Sequence, residues 1–265
     1  MNPPLDQPDP KRRAARLEVC VASLRDAAIA AKAGAFRIEL NSALALGGLT
    51  PSTGLVERVV EAVEPTGCAT IAMVRPRPGG FAYNADELSV MHRDVALLVE
   101  RGVAGIALGV LDIDGRIDTE AMKRLIGSIQ RGQREVVFHR AFDLTPDPLV
   151  AMEQLIDLGV TRILTSGGRP TADHGAPLIR SLVEHAAGRI EILPAGGIRP
   201  DNVSDLIATT GCDQVHASLR KIQRDTTGGL RPDLRFNTER LDDDAYFAAD
   251  PQAIDALAAA LRSHG

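Results

Sequence analysis

The chain has 265 residues and a mass of 28.2 kDa, long for one small domain and the right size for a single α/β barrel. Hydrophobic residues at 45% and charged residues at 25% mark a globular protein with a full core. A formal charge of -5 and a pI near 5.7 exclude the concentrated basic surface that nucleic acid needs, and aromatics at 3% with no Trp exclude base-stacking platforms and a membrane aromatic belt.

Residues 1–15, MNPPLDQPDPKRRAA, hold four prolines and no apolar run. They predict a disordered arm that is neither signal peptide nor membrane span, ahead of one domain over 16–265. The first strand candidate is 17–21, followed by an Ala-rich helix between Ser23 and Gly34. Further strands are predicted at 36–40, 69–74, 105–110, 135–139, 162–165, 190–193 and 214–216. Helices are predicted at 54–64, 86–100, 119–130, 147–158, 175–187, 200–209 and 251–262. Strand starts lie about 19–36 residues apart, which leaves room for a crossover helix between each parallel pair. Eight such units predict a (β/α)8 TIM barrel, with a doubly wound open sheet as the alternative. The barrel is favoured because no Gly-x-Gly-x-x-Gly follows the first strand and no linker divides the chain. The polar stretch at about 219–248, with Gly228-Gly229, reads as a long loop before the last helix.

A barrel gathers its chemistry where the strands end. Those ends carry Glu18 and Cys20, Glu39 and Asn41, Arg75, His139 with Arg140 and Asp143, Ser166-Gly167, Gly196-Gly197, and His216 with Ser218. Glu18 and Glu39 alternate with apolar neighbours, so both carboxylates are expected inside the barrel, with Arg75 and His216 as their partners. His139 and Arg140 are adjacent, which on a strand sends one into the mouth and the other into its surroundings. His139 suits acid–base work or metal ligation, and Arg140 with Asp143 makes an ion pair that orients the loop. The glycines at 196–197, with Ser166, Gly167 and Ser218, suit an anion cradle, and they equally suit tight βα turns.

The loop from Asp112 to Asp118 lacks the later acidic ligands of a calcium loop, so a hairpin-like turn through Asp114-Gly115 is expected. Cys68 and Cys212 precede their strands and belong at the floor of the barrel. Only Cys20 approaches the mouth, in surroundings that read as apolar. Three widely spaced cysteines with no CxxC make neither a disulfide framework nor a structural zinc site, and they point to a reducing, cytoplasmic setting.

Several segments together carry a family resemblance. Leu17-Glu18-Val19-Cys20, Arg37-Ile38-Glu39-Leu40, Gly47-Gly48-Leu49-Thr50-Pro51-Ser52, Arg75-Pro76-Arg77, Gly109-Val110-Leu111-Asp112, His139-Arg140-Ala141-Phe142-Asp143, Leu164-Thr165-Ser166-Gly167 and Val215-His216-Ala217-Ser218 resemble the CutC copper-homeostasis family, from about residue 17 to 220. The choline lyase that shares the name is unrelated. The resemblance implies a cytoplasmic TIM barrel, homo-oligomeric, with copper as ligand at cysteines ending the first two strands. The first of those positions is Cys20; the second is Asn41, so one thiol stands where the family pairs two. Pro78 and Leu46 are further departures.

Three functions compete at this stage. One is copper binding near Cys20 with His139 or His216. The second is a lyase- or isomerase-type enzyme on a small phosphorylated or anionic sugar-like substrate. In it Glu39 and His139 exchange protons, Arg75 clamps an oxygen, and Gly196, Gly197 and Ser218 hold the anion. The third is a non-catalytic barrel whose ionisable mouth is a structural network.

Overall fold

The structure, a computed structural model, describes residues 15–231, 233–234 and 244–263. Apart from Ala15, the arm expected at 1–15 lies outside the described residues. Eight parallel strands form the barrel: β1 Arg16–Val21, β2 Arg37–Leu40, β3 Ala69–Met73, β4 Gly105–Leu108, β5 Glu135–Phe138, β6 Arg162–Thr165, β7 Glu191–Pro194 and β8 Gln214–Ala217. Their order is β7-β6-β5-β4-β3-β2-β1-β8, and a parallel bridge between Ala195 and His216 joins the two ends. The open sheet is thereby excluded.

Seven helices cross between these strands: α1 Leu24–Lys32, α2 Thr53–Val63, α3 Ala85–Glu100, α4 Thr119–Arg131, α5 Pro148–Asp157, α6 Ala176–Ala186 and α7 Val203–Thr210. An eighth, α8 Pro251–Ser263, follows the last strand. Local chemistry sets their starts. Ser23, Ser52 and Asp118 each accept a first-turn backbone N–H, and Asn84 with Glu87 forms a reciprocal capping box.

Side-chain parity divides the strands into two layers. The outward positions, such as Val19, Ile38, Ala72, Ile106, Phe138, Ile163, Ile192 and Val215, pack against the helices in the main core. The inward positions are apolar on one side only: Ile71, Met73, Ala107, Val137, Leu164, Leu193 and Ala195 form a separate inner cluster from β3 to β7. On β8, β1 and β2 the inward positions are Gln214, His216, Glu18, Cys20, Arg37 and Glu39, and this half of the interior is polar.

The stretch after β8 is more ordered than a loop. β9 Arg220–Arg224 and β10 Ala245–Ala249 pair as an antiparallel hairpin, anchored where the Ala249 N–H donates to the buried Asp26 carboxylate at 3.0 Å. The intervening residues 232 and 235–243 lie outside the described residues. The Asp114-Gly115 turn is closed by a Leu111–Ile117 bridge, with Asp112 Oδ1 accepting from the N–H groups of Asp114 and Arg116 at 2.8 Å each.

Candidate functional site at the barrel mouth

The polar half of the interior is one connected chain. Glu18 stands in register with Arg37 on one side and His216 on the other. Its two oxygens lie 2.8 Å from Arg37 Nε and 2.8 Å from His216 Nδ1. Arg37 Nη2 donates to Gln214 at 2.5 Å, Gln214 Nε2 to Glu191 at 3.2 Å, and Arg162 to Glu191 and Glu135 at 2.7 and 3.1 Å. Arg37 and Arg162 are each only 1% exposed, and such buried charges persist because every one is paired. Sequence reasoning expected Arg75 beside Glu18, but the cation is Arg37. The signal was present in Arg37-Ile38-Glu39, since residues two apart on a strand share a face.

At the top of this chain sit Cys20, Glu39 and His216, whose ligand atoms all lie within 4.8 Å of one another. Asn41 Nδ2 ties them together, donating to Glu39 Oε2 at 2.9 Å and to Cys20 Sγ at 3.4 Å. The surroundings of Cys20 are therefore polar rather than apolar. Burial pushes its thiol upward, against the pull of His216. Burial also raises the Glu39 carboxyl, opposed by His216 and reinforced by Glu18. For His216, burial works against the charged ring, but the Glu39 and Glu18 carboxylates outweigh it and hold the imidazole well above its ordinary range. Glu18 is buried too, yet His216 and Arg37 bring it down to about 2. Two neighbouring carboxyls are thus driven in opposite directions, the usual arrangement where acid and base roles are separated.

His139 follows β5 and is 3% exposed. Its Nδ1 accepts the Ala141 N–H at 3.3 Å, which places the ring proton on Nε2. Burial, with Arg75 nearby, lowers it to about 3, so the ring is neutral at physiological pH. Phe81 covers it at 4.9 Å between ring centroids, and Arg75 lies 5.0 Å from the Phe81 ring. Gly109 makes room for the imidazole: a methyl group there would come within 2.6 Å of it.

Arg75 lines the mouth with a buried Nε that has no hydrogen-bond partner, but its terminal nitrogens are spent on backbone. Its Nη1 donates to the carbonyls of Leu46 and Gly48, and its Nη2 to that of Gly79, so it pins two loops together. Gly47 and Gly48 permit this close approach; a Cβ at Gly47 would lie 3.0 Å from the guanidinium, and one at Gly48 would strike Asn41.

Arg140 and His139 both line the mouth, contrary to strand alternation, because β5 ends at Phe138 and residues 140–144 turn into a short 3-10 helix. Arg140 Nε donates to Asp143 at 2.8 Å, the expected ion pair. Asp143 then satisfies the β6 loop, accepting from Thr165 Oγ1, the N–H groups of Ser166 and Gly168, and Ser166 Oγ. The Gly167 N–H goes to Thr165 Oγ1 at 2.9 Å. Ser166 and Gly167 have their donors committed internally, unlike Gly196, Gly197 and Ser218. These three line a cavity of about 480 Å³ with Arg140 and His216. A second, of about 150 Å³, is bounded by Cys20, Glu39, Asn41, His139 and Arg75 among others.

Comparison with known proteins adds an independent finding. Residues 15–221 match the model of the CutC family. The CutC protein of Treponema denticola is 46% identical over 221 residues, 83% of this chain and 88% of that one. The human copper homeostasis protein cutC homolog is 41% identical over 204 residues, 77% of this chain and 73% of its own. A crystal structure of CutC from Streptococcus agalactiae superposes with a TM-score of 0.73 at 36% identity, covering 76% of this chain and 97% of that one.

Proposed function

This chain belongs to the CutC family, and on that premise we propose that it serves copper homeostasis by binding a copper ion at Cys20, Glu39 and His216. The observation that carries the proposal is their convergence, with a sulfur, an imidazole nitrogen and a carboxylate oxygen within 4.8 Å of one another. Thiolate and imidazole are both donors that copper accepts. Glu39 Oε1 and Asn41 Oδ1 are buried with no hydrogen-bond partner, so oxygens are free to face a cation there. Glu18 holds Nδ1 of His216 at 2.8 Å and leaves Nε2 for the metal, the carboxylate–histidine support common around metal ligands.

Asn41 changes the character of the site. A second cysteine would make a two-thiolate site suited to Cu(I), whereas Asn41 gives a mixed sulfur, nitrogen and oxygen set. Copper here is cargo, taken up and released at the mouth. The three free cysteines fit the cytoplasmic setting proposed with it.

The test is titration of the purified protein with Cu(I) and with Cu(II) against a competing chelator. Cys20→Ala weakens the binding by about tenfold or more, a loss of ~1.4 kcal/mol. Equal affinity in the variant overturns the site.

A further inference from the structure

The mouth holds more than a copper ion requires. Its two cavities share Arg140 and His216 in their walls, so they adjoin one another. The wider half is lined by Arg140, Arg199 and Arg220 and, among the described residues, by no Asp or Glu. Nη1 of Arg220 is buried without a hydrogen-bond partner. Arg140 uses Nε and Nη2 on Asp143 and Ser166, and its Nη1, 3.6 Å from where a Cβ on Gly196 would sit, donates to no acceptor among the described residues. The N–H groups of Gly197, Ser218 and Leu219 also donate to no acceptor among the described residues. Gly197 at φ +70° and Leu219 at φ +42° both take the left-handed turn, a conformation that builds concave anion-binding nests from backbone N–H groups. The tolerance of a strained Leu219 here, where glycine is the ordinary choice, fits a functional turn.

The narrow half presents four buried polar atoms without partners: Glu39 Oε1, Asn41 Oδ1, His139 Nε2 and Arg75 Nε. Their residues are 3%, 1%, 3% and 7% exposed. Two are acceptors. The other two are donors, since Nδ1 of His139 already accepts from Ala141 and leaves the proton on Nε2. A cation can satisfy the two oxygens but has nothing to offer an N–H donor. A hydroxyl-bearing molecule satisfies both kinds, since each hydroxyl both donates and accepts.

We propose that this cleft binds a small phosphomonoester carrying hydroxyl groups. The phosphate sits on the Gly197, Ser218 and Leu219 N–H groups and Arg140, and the hydroxyls reach Glu39, Asn41 and His139. Backbone N–H groups and a guanidinium are the donors that phosphate recognition favours. The phosphate half contains only His216 of the copper donors, whereas the hydroxyl half shares Glu39 with the copper site.

The experiment is calorimetric titration of the chelator-treated, metal-free protein with ribose 5-phosphate, glycerol 3-phosphate, ribose and inorganic phosphate. At least one of the two phosphorylated polyols binds about tenfold more tightly than both ribose and phosphate. Ser218→Asp, which places a carboxylate in the phosphate half, weakens every phosphate-bearing probe by about tenfold or more. Glu39→Gln weakens the phosphorylated polyol and leaves inorganic phosphate unchanged. Unfolding temperatures within a few degrees of the parent's show that each variant is folded. Three results each overturn the proposal: no binding by any probe, binding by Ser218→Asp equal to the parent protein's, or no gain of a phosphorylated polyol over phosphate. Copper affinity in Ser218→Asp and phosphate affinity in Cys20→Ala are both expected to match the parent, so failure of the cleft and failure of the copper site are read separately.

Discussion

Glu18 and His216 face each other across the β1–β8 register with 2.8 Å between Oε1 and Nδ1. The second oxygen of Glu18 lies 2.8 Å from Arg37 Nε. One carboxylate therefore orients the histidine of the mouth and neutralises an arginine buried deeper in the barrel. The floor of the barrel and its chemistry are coupled through this single side chain.

Removing the arginine tests that coupling. Arg37→Met leaves Glu18 with His216 alone and removes a donor from Gln214. Breaking a buried pair in this way costs about 3 kcal/mol or more. Urea unfolding at neutral pH reads the loss, and a change below ~1 kcal/mol contradicts the pairing described here.

Acid stability follows from His139 and Glu18. The unfolded chain protonates His139 near its ordinary 6.5, whereas the folded protein resists until about 3. The unfolded state binds more protons in that window, so stability falls as pH drops from 6.5 toward 3. Glu18, ordinarily 4.5 and held at about 2, adds a second decline between those values. His216 has the opposite sign: its stabilisation is complete below 6.5 and is lost as pH rises through its elevated value. We expect His139→Gln to flatten the stability profile between pH 6.5 and 5, where Glu18 does not yet titrate; unfolding temperatures across that range check it, and an unaltered slope refutes it.

Gly109 is a steric prerequisite for His139. A methyl group there would lie 2.6 Å from Cε1 and 2.7 Å from Nδ1 of the ring. Gly109→Ala displaces the imidazole at a stability cost of about 1–3 kcal/mol. A crystal structure of the variant with an unmoved His139 ring would show that the barrel yields elsewhere.

Thiol reactivity separates the folded from the unfolded chain. Burial pushes Cys68 and Cys212 up to about 11 and raises Cys20 as well. Only a trace of any of the three is thiolate near pH 7.5, and the thiolate is the reactive form. Iodoacetamide therefore alkylates all three slowly in native protein and readily in guanidinium. Rapid native labelling of Cys20 would mean an activated thiolate at the mouth.

The barrel was legible because its signals are local. Strand 162–165 coincides with β6, and the other strands shift by two residues or fewer at an end. The inward placement of Glu18 and Glu39 followed from alternation with apolar neighbours. What stayed hidden depends on which strand lies beside which. Arg37 and Arg162 carry no sequence signal of burial; each is 1% exposed only because the neighbouring strands bring paired carboxylates to it. Arg75 was placed at the mouth because it follows the third strand, and it does line it, but three backbone carbonyls from two loops claim its terminal nitrogens. Ser166 and Gly167 looked like anion donors because nothing in the chain announces that Asp143, more than 20 positions earlier, takes the Ser166 N–H. The β9–β10 hairpin escaped because β9, RKIQR, is polar and both strands are short.

The copper site is tested most directly by a crystal of the copper-loaded protein, with anomalous diffraction recorded at the copper absorption edge. One strong peak is expected, bounded by Cys20 Sγ, Glu39 and Nε2 of His216 and absent from Cys20→Ala crystals grown the same way. A peak elsewhere on the chain, or one at the mouth that persists without the Cys20 sulfur, would contradict it.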